Sequence, residues 1–177
     1  MAALVEAALG AGIELRVPPG EAEKHGLDER PGLSVREEPS ADTDLAVVLG
    51  GDGTILTALR ACAVYELPVF AINYGAIGFL STVDHGQIED GIRRVLSGDF
   101  DTLAIPALEI PIDGETRLAV NDVSFHRRPD DRVAELAYWV EGEELGRVRC
   151  DGLVASTPVG STGYNLANGG PVLAWKV

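Results

Sequence analysis

The sequence predicts an α/β domain with a doubly wound, mostly parallel sheet over residues 1–100, then an all-β sandwich domain over 101–177 that is incomplete. Three observations carry this. Helix-period segments and continuous apolar runs alternate up to about Phe100; two of those runs lead directly into glycine-rich turns; and beyond Phe100 helical spacing nearly vanishes in favour of period-two alternation.

The elements follow in order. "AALVEAAL" reads as a short helix closed by Gly10 or Gly12, and "IELRV" as a strand that Pro18 ends. Residues 18–43 are rich in Pro, Gly and charge, which predicts loop with one short helix and one short strand. "LAVVL" is a continuous apolar run, the form of a strand covered on both faces of a parallel sheet. Helix spacing then runs from Thr54 to Val64, "PVFAIN" is the next buried strand, and "HGQIEDGIRRVLSG" is a helix with Ile88, Ile92 and Leu96 on one side and Gly98 at its end. In the second half, "ALEIPI", "RLAVNDVSF", "VAELAYWVEG" and "ELGRVRCDGLVAST" read as antiparallel strands.

Composition limits what such a chain can do. Its 177 residues are 46% hydrophobic, enough for a sizeable core. A formal charge of −14, from 14 basic and 28 acidic residues, argues against non-specific binding to nucleic acid or an anionic membrane. Any anionic ligand must then be met locally. Such an excess repels itself unless salt screens it, which points to a halophilic source. The start lacks a signal peptide's basic flank, no stretch is long and apolar enough to span a bilayer, and neither Cys62 nor Cys150 has metal-site spacing. The expectation is a soluble, reduced, cytoplasmic protein without a resident metal. His25, His85 and His126 read as solvated or structural, Trp139 and Trp175 as sandwich core or interface.

Four stretches carry candidate chemistry. "GGDGT" places backbone N–H groups at a helix start, a geometry suited to anions, with Asp52 set among Gly50, Gly51 and Gly53. The carboxylate could accept the proton of an attacking hydroxyl or help hold Mg²⁺ between phosphates; a plain glycine-rich turn capped by its aspartate has the same composition. "NYGAIGFL", from Asn73, follows the next buried strand, and Gly75 and Gly78 permit a close loop at its carboxyl end; neighbouring strand ends of this kind form the crevice of open α/β sheets, and a turn leading to a packed Phe79 is the simpler account. In "VNDVSF", Asn121 and Asp122 interrupt a strand-like alternation and suit a vicinal diol, or an Asx turn between two strands. "DGLVASTPVGSTGYNLANGGP" crowds hydroxyl, amide and glycine groups that could recognise a ribose or an adenine edge, although loops have similar content.

Taken together, "GGDGT", "NYGAIGFL", "ND" and "DGLVASTPVGSTGYNLANGGP" resemble the NAD kinase family over residues 45–171. The first motif alone is shared with lipid and sugar kinases; the last combined with the second is far more specific. The resemblance implies an active site between an α/β and a β-sandwich domain, assembly into homo-dimers or tetramers, and transfer of a phosphoryl group from Mg²⁺-ATP, or polyphosphate, to the 2′-hydroxyl of the adenosine ribose of NAD. It implies Asp52 as general base, with Gly51, Gly53, Asn73 and Gly75 at the dinucleotide. Asn121 and Asp122 match the family's Asn-Glu pair, Arg149 and Asp151 a ligand-contacting pair, and Arg132 a less constant ligand position. Thr162, Gly163, Tyr164, Asn165, Leu166 and Ala167 match the segment around the adenine, and a neighbouring subunit can complete the site. Departures are Asp122 for Glu, Val159 and Gly163 where Thr and Ala are frequent, and both ends, where the chain is expected to be shortened. A catalytically silent NAD(P)-binding fragment or subunit shares every motif, and a lipid or sugar kinase is the weaker alternative.

Overall fold

The computed structural model describes residues 1–36, 39–73, 80, 83 and 87–175, in two compact units, Met1–Leu103 and Ala104–Val177.

In the first unit α1 (Ala2–Gly10), β1 (Leu15–Val17), α2 (Pro19–His25) and β2 (Leu33–Val35) form one cluster around Val5, Val17, Ala22 and Leu33. The proline- and glycine-rich stretch thus contains the one short helix and one short strand predicted for it. Next come β3 (Ala46–Gly50), α3 (Asp52–Ala63), β4 (Val69–Asn73) and α4 (Ile88–Ser97), which ends at Gly98 in the left-handed region (φ 71°) as its glycine predicts. Pairing is parallel in both sheets, β1 with β2 and β3 with β4. The apolar run has its reason in the packing. Val47, Leu49, Phe70 and Ile72 lie in one cluster with Val95, Ile88 and Ile92 of α4, whereas Val48 and Ala71 lie in another with Ile55, Ala58 and Leu59 of α3. Alternate residues of both strands are therefore covered, one set by each helix.

One boundary differs from the sequence reading. α3 begins at Asp52 rather than near Thr54. Gly51 is extended (φ −88°, ψ 179°) and its carbonyl accepts from the N–H groups of Thr54 and Ile55 at 3.0 and 3.1 Å, so the first turn closes on Gly51. Asp52 and Gly53 belong to the helix, not to the turn before it. Gly50 is needed for packing, because a Cβ there would lie 2.8 Å from Cβ of Thr54.

The second unit is β-rich, with several small antiparallel sheets. Among the described residues β5 (Leu108–Ile112) pairs with β6 (Glu115–Ala119), β7 (Asp122–His126) with β10 (Gly152–Ser156), and β8 (Ala134–Val140) with β9 (Glu143–Cys150). Two of these are tight hairpins. Asp113-Gly114 (φ 53° and 83°) and Glu141-Gly142 (φ 51° and 85°) place both central residues at positive φ, the arrangement whose twist suits a two-residue connection. "RLAVNDVSF" is two strands broken at Val120 and Asn121, and "ELGRVRCDGLVAST" is two broken at Asp151. Residues Val159–Thr162 form a 3₁₀ helix and Tyr164–Ala167 a single turn, α5. Trp139 is 53% exposed, so the core role predicted for it does not hold within this chain. It sits beside a register shift between Tyr138 and Trp139 that interrupts the β8–β9 ladder.

Candidate functional site

In the first unit, the parallel register sets Gly50 opposite Asn73, so the segments leaving β3 and β4 start side by side. Asp52 occupies the first position of α3, where unpaired backbone N–H groups and the helix dipole favour negative charge. The N-cap residue of this helix, Gly51, has no side chain to cap it. The Asp52 carboxylate is half-buried and accepts a hydrogen bond from the Leu80 backbone N–H at 3.4 Å, which ties it to the chain beyond β4. Among the described residues a Cβ at Gly51 or Gly53 would meet nothing within 4 Å, and neither residue has a positive φ. Unlike Gly50, then, these two glycines are not demanded by the packing or the conformation. Asn73 is buried, and its N–H donates to the Val83 carbonyl at 2.9 Å. Gly75, Gly78, Phe79 and His85 lie outside the described residues.

In the second unit the structure separates the predicted residues into two groups at opposite ends of the β7–β10 pair. Asp122 faces Ser156 in the register and Gly152 faces His126, a span of roughly 13 Å at the usual strand rise. Asn121, Asp122 and the helical segment 159–167 lie at the first end. The Thr157 N–H donates to the Asn121 carbonyl at 2.8 Å, and the Thr157 hydroxyl donates to the Val120 carbonyl at 2.6 Å while accepting from the Gly160 N–H at 3.0 Å. A Cβ on Gly160 would overlap the Asn121 carbonyl. The Asn121 carboxamide oxygen is buried and has no hydrogen-bond partner among the described residues.

The residues expected around the adenine divide by their surroundings. The Asn165 amide donates to the carbonyls of Ser161 (3.1 Å) and Pro171 (2.8 Å), so its side chain closes the loop. Tyr164 and Leu166 are exposed at 45% and 48%, apolar surface available to a planar base. Thr162 ends the 3₁₀ helix, and Gly163 links it to α5, which runs to Ala167.

Arg132, Arg149 and Asp151 belong to the other end, around a residue that sequence reasoning did not select. Arg127 Nε pairs with Asp151 at 3.2 Å, its N–H donates to the Asp151 carbonyl at 3.0 Å, and Nη1 donates to the Asp131 carbonyl at 2.7 Å. It thereby fixes the loop that carries Arg132. An open depression there is lined by His126, Arg127, Pro129 and Asp151. Thr157, also missed, lies inside a quoted motif but in a Gly/Ser/Thr-rich string that reads as plain loop. No helix among the described residues is long and apolar enough to cross a membrane.

Comparison with known proteins points one way. Residues 13–100 match the family model of the ATP-NAD kinase N-terminal domain, and residues 120–177 that of the C-terminal domain. The NAD kinase of Gemmatimonas aurantiaca is 38% identical over 136 residues, covering 73% of this chain and 47% of the relative; that of Nitrosomonas europaea is 36% identical over 154 residues, covering 84% and 52%. The chain thus spans about half the length of these relatives. Among solved structures, yeast NADH kinase complexed with NADH superposes with a TM-score of 0.76 at 29% identity, covering 99% of this chain and 59% of the other. An NAD kinase from Archaeoglobus fulgidus in complex with ATP gives 0.65 at 25% identity, covering 92% and 69%.

Proposed function

Because this chain belongs to the NAD kinase family, we propose that it phosphorylates the 2′-hydroxyl of the adenosine ribose of NAD to give NADP, with ATP or polyphosphate as donor. The observation that carries the reading is the placement of Asp52: a half-buried carboxylate at a helix start, held by the Leu80 N–H and flanked by two glycines whose missing side chains leave open space. The lipid- or sugar-kinase alternative has no support among the matched families.

The proposed mechanism needs little covalent chemistry from the protein. As the ribose 2′-oxygen forms its bond to the γ-phosphorus, Asp52 takes the hydroxyl proton; the bond from that phosphorus to the β–γ bridging oxygen breaks and ADP leaves. Gly51 and Gly53 let the ligand approach the main chain, Asn73 closes the neighbouring strand, and Gly75 is proposed as a further dinucleotide contact. Asn121 and Asp122 hold the ribose. Asp122 pairs with Ser156 in the ladder, and its side chain makes no hydrogen bond or ion pair among the described residues, which leaves the carboxylate for that contact. Thr162–Ala167 surrounds the adenine. Arg132, Arg149 and Asp151, at the far end of β7–β10, are proposed to contact a ligand of a neighbouring subunit in a homo-dimer or tetramer. Among the described residues no group of three His, Cys, Asp or Glu side chains is placed to hold a metal. We assign Mg²⁺ to the nucleotide, whose phosphate charge it would neutralise, and the protein is proposed to act in the cytoplasm.

The test is NADP formation from NAD and Mg²⁺-ATP by the purified chain, in low salt and in molar KCl, with Asp52→Asn alongside. Asparagine keeps the shape and removes the base, so turnover should fall about 10²- to 10⁴-fold with NAD binding largely kept. An asparagine variant as fast as the parent would refute the base assignment. Folded parent that makes no NADP in either salt would instead support a silent NAD-binding chain.

A further inference from the structure

We propose that Thr157 is a positioning residue for nucleotide binding, which holds the main chain at Val120 and Asn121 so that Asn121 presents its carboxamide to the ribose. This rests on the reading that Asn121 contacts NAD. A threonine hydroxyl offers one proton and two lone pairs. Here the proton goes to the Val120 carbonyl at 2.6 Å, with the Asn121 carbonyl also in range at 3.1 Å, and a lone pair accepts from the Gly160 N–H at 3.0 Å. The Thr157 backbone N–H adds the bond to the Asn121 carbonyl at 2.8 Å. Thr157 is only 2% exposed, so water does not compete for these bonds.

The joint does more than end a ladder. The β7–β10 register is complete at Asp122 and Ser156, and the bonds of Thr157 lie beyond it, joining the strand break at 120–121 to the 3₁₀ helix Val159–Thr162. Gly160 lets that helix close directly on the Asn121 carbonyl, where any side chain would overlap. What this stiffness benefits is Asn121, whose buried carboxamide oxygen has no partner among the described residues. An unsatisfied buried acceptor works against folding, and a fold that holds one rigidly keeps it ready for a donor that arrives with a ligand.

A double-mutant cycle decides the matter. NAD dissociation constants and NADP formation are measured on the parent, Thr157→Val, Thr157→Ser, Asn121→Ala and the Thr157→Val/Asn121→Ala pair. We expect Thr157→Val to raise Kd and KM for NAD about tenfold with kcat within about twofold, the effect of one neutral hydrogen bond on binding. Thr157→Ser, which keeps the hydroxyl, should bind as the parent does. In the Asn121→Ala background Thr157→Val should change affinity no further, because the two losses are one. A folded Thr157→Val protein that binds NAD like the parent, or losses that simply add, overturns the proposal. If Thr157→Val does not fold, Thr157→Ala, which removes the hydroxyl without placing a methyl against the Val120 carbonyl, replaces it in the cycle. Parent-like binding by Asn121→Ala would instead overturn the reading on which the proposal rests, and a parent that binds no NAD would overturn the kinase assignment itself.

Discussion

Replacing Gly53 by Ala separates what the fold needs from what a ligand needs. Gly53 is exposed in the first turn of α3, its φ is not positive, and an added Cβ would meet nothing within 4 Å among the described residues. On the fold alone alanine is therefore the better residue, since it loses less backbone freedom on folding, and the gain is about 0.4–1 kcal/mol. For a chain of this length each kcal/mol moves Tm by roughly 2–4 °C, so Gly53→Ala should melt about 1–4 °C higher. If the open space at Gly53 serves the dinucleotide, the same methyl obstructs it, and kcat/KM for NAD should fall about tenfold or more, the factor that 1.4 kcal/mol of lost transition-state contact produces. Gly50→Ala is the control. Its Cβ would stand 2.8 Å from Cβ of Thr54, and such overpacking costs about 1–3 kcal/mol, lowering Tm by several degrees. Thermal melts and NADP formation on both variants decide it. A Gly53→Ala protein less stable than the parent would show that the glycine is conformational, and one that is more stable and fully active would show that no ligand needs the space.

Two further predictions concern the first unit. Cys62 is 3% exposed and burial pushes its thiol pKa up, whereas Cys150 is half-buried at the end of β9. A thiol reagent should accordingly modify Cys150 in the native chain and reach Cys62 only on unfolding; equal native rates would contradict the packing of α3. The Arg16 guanidinium grips Asp42 and also reaches Ser40 and Thr43, pinning the segment before β3 to β1. Arg16, with Ser40 assisting, holds the Asp42 carboxyl well below the usual carboxylate range. The stabilisation from this lowered pKa is complete above the unfolded carboxyl value, about 3.9, and is lost as pH falls below it. The stability gap between parent and Asp42→Asn, read by urea titration, should therefore be present at pH 7 and shrink below about pH 4; a gap that widens in acid would contradict the pairing.

The sequence revealed most where a residue has one physical task. The unbroken apolar runs of β3 and β4 announced strands covered on both faces, and the opposed sets Val47/Leu49 and Val48 bear this out. Gly98 ended its helix as predicted because only a left-handed residue closes that turn cheaply. Where one residue serves two tasks, legibility fell. Asp52 and Gly53 are poor helix formers in the interior, so the start of α3 was placed two residues late, yet aspartate is favoured in a first turn. Asp113-Gly114 and Glu141-Gly142 carried hairpin signals that the period-two reading passed over. The Thr157 joint was illegible for a different reason. The carbonyls it donates to lie 36 and 37 residues earlier, and a hydroxyl that bonds to distant main chain has the same letter as one facing water.

The acidic composition and the proposed anionic substrates are compatible, because the two units are proposed to meet anions differently. In the first unit none of Gly51, Asp52, Gly53, Asn73 and Gly75 is a lysine or arginine; the favourable field is proposed to come from the N–H groups at the start of α3, which are fixed in place. In the second, five of the chain's 14 basic residues fall between Arg127 and Arg149. Arg127 and Arg147 are paired, with Asp151 and Glu144, while Arg128, Arg132 and Arg149 form no ion pair among the described residues. Six acidic residues, Asp130, Asp131, Glu135, Glu141, Glu143 and Glu144, share that stretch with its five arginines, so it carries no net positive charge. Salt screens exposed guanidinium groups far more than it screens backbone dipoles in a half-buried turn. The proposed phosphate contact at the helix start would therefore weaken little in a salty medium, and the arginines, balanced by their acidic neighbours, would meet a proposed ligand only at close contact.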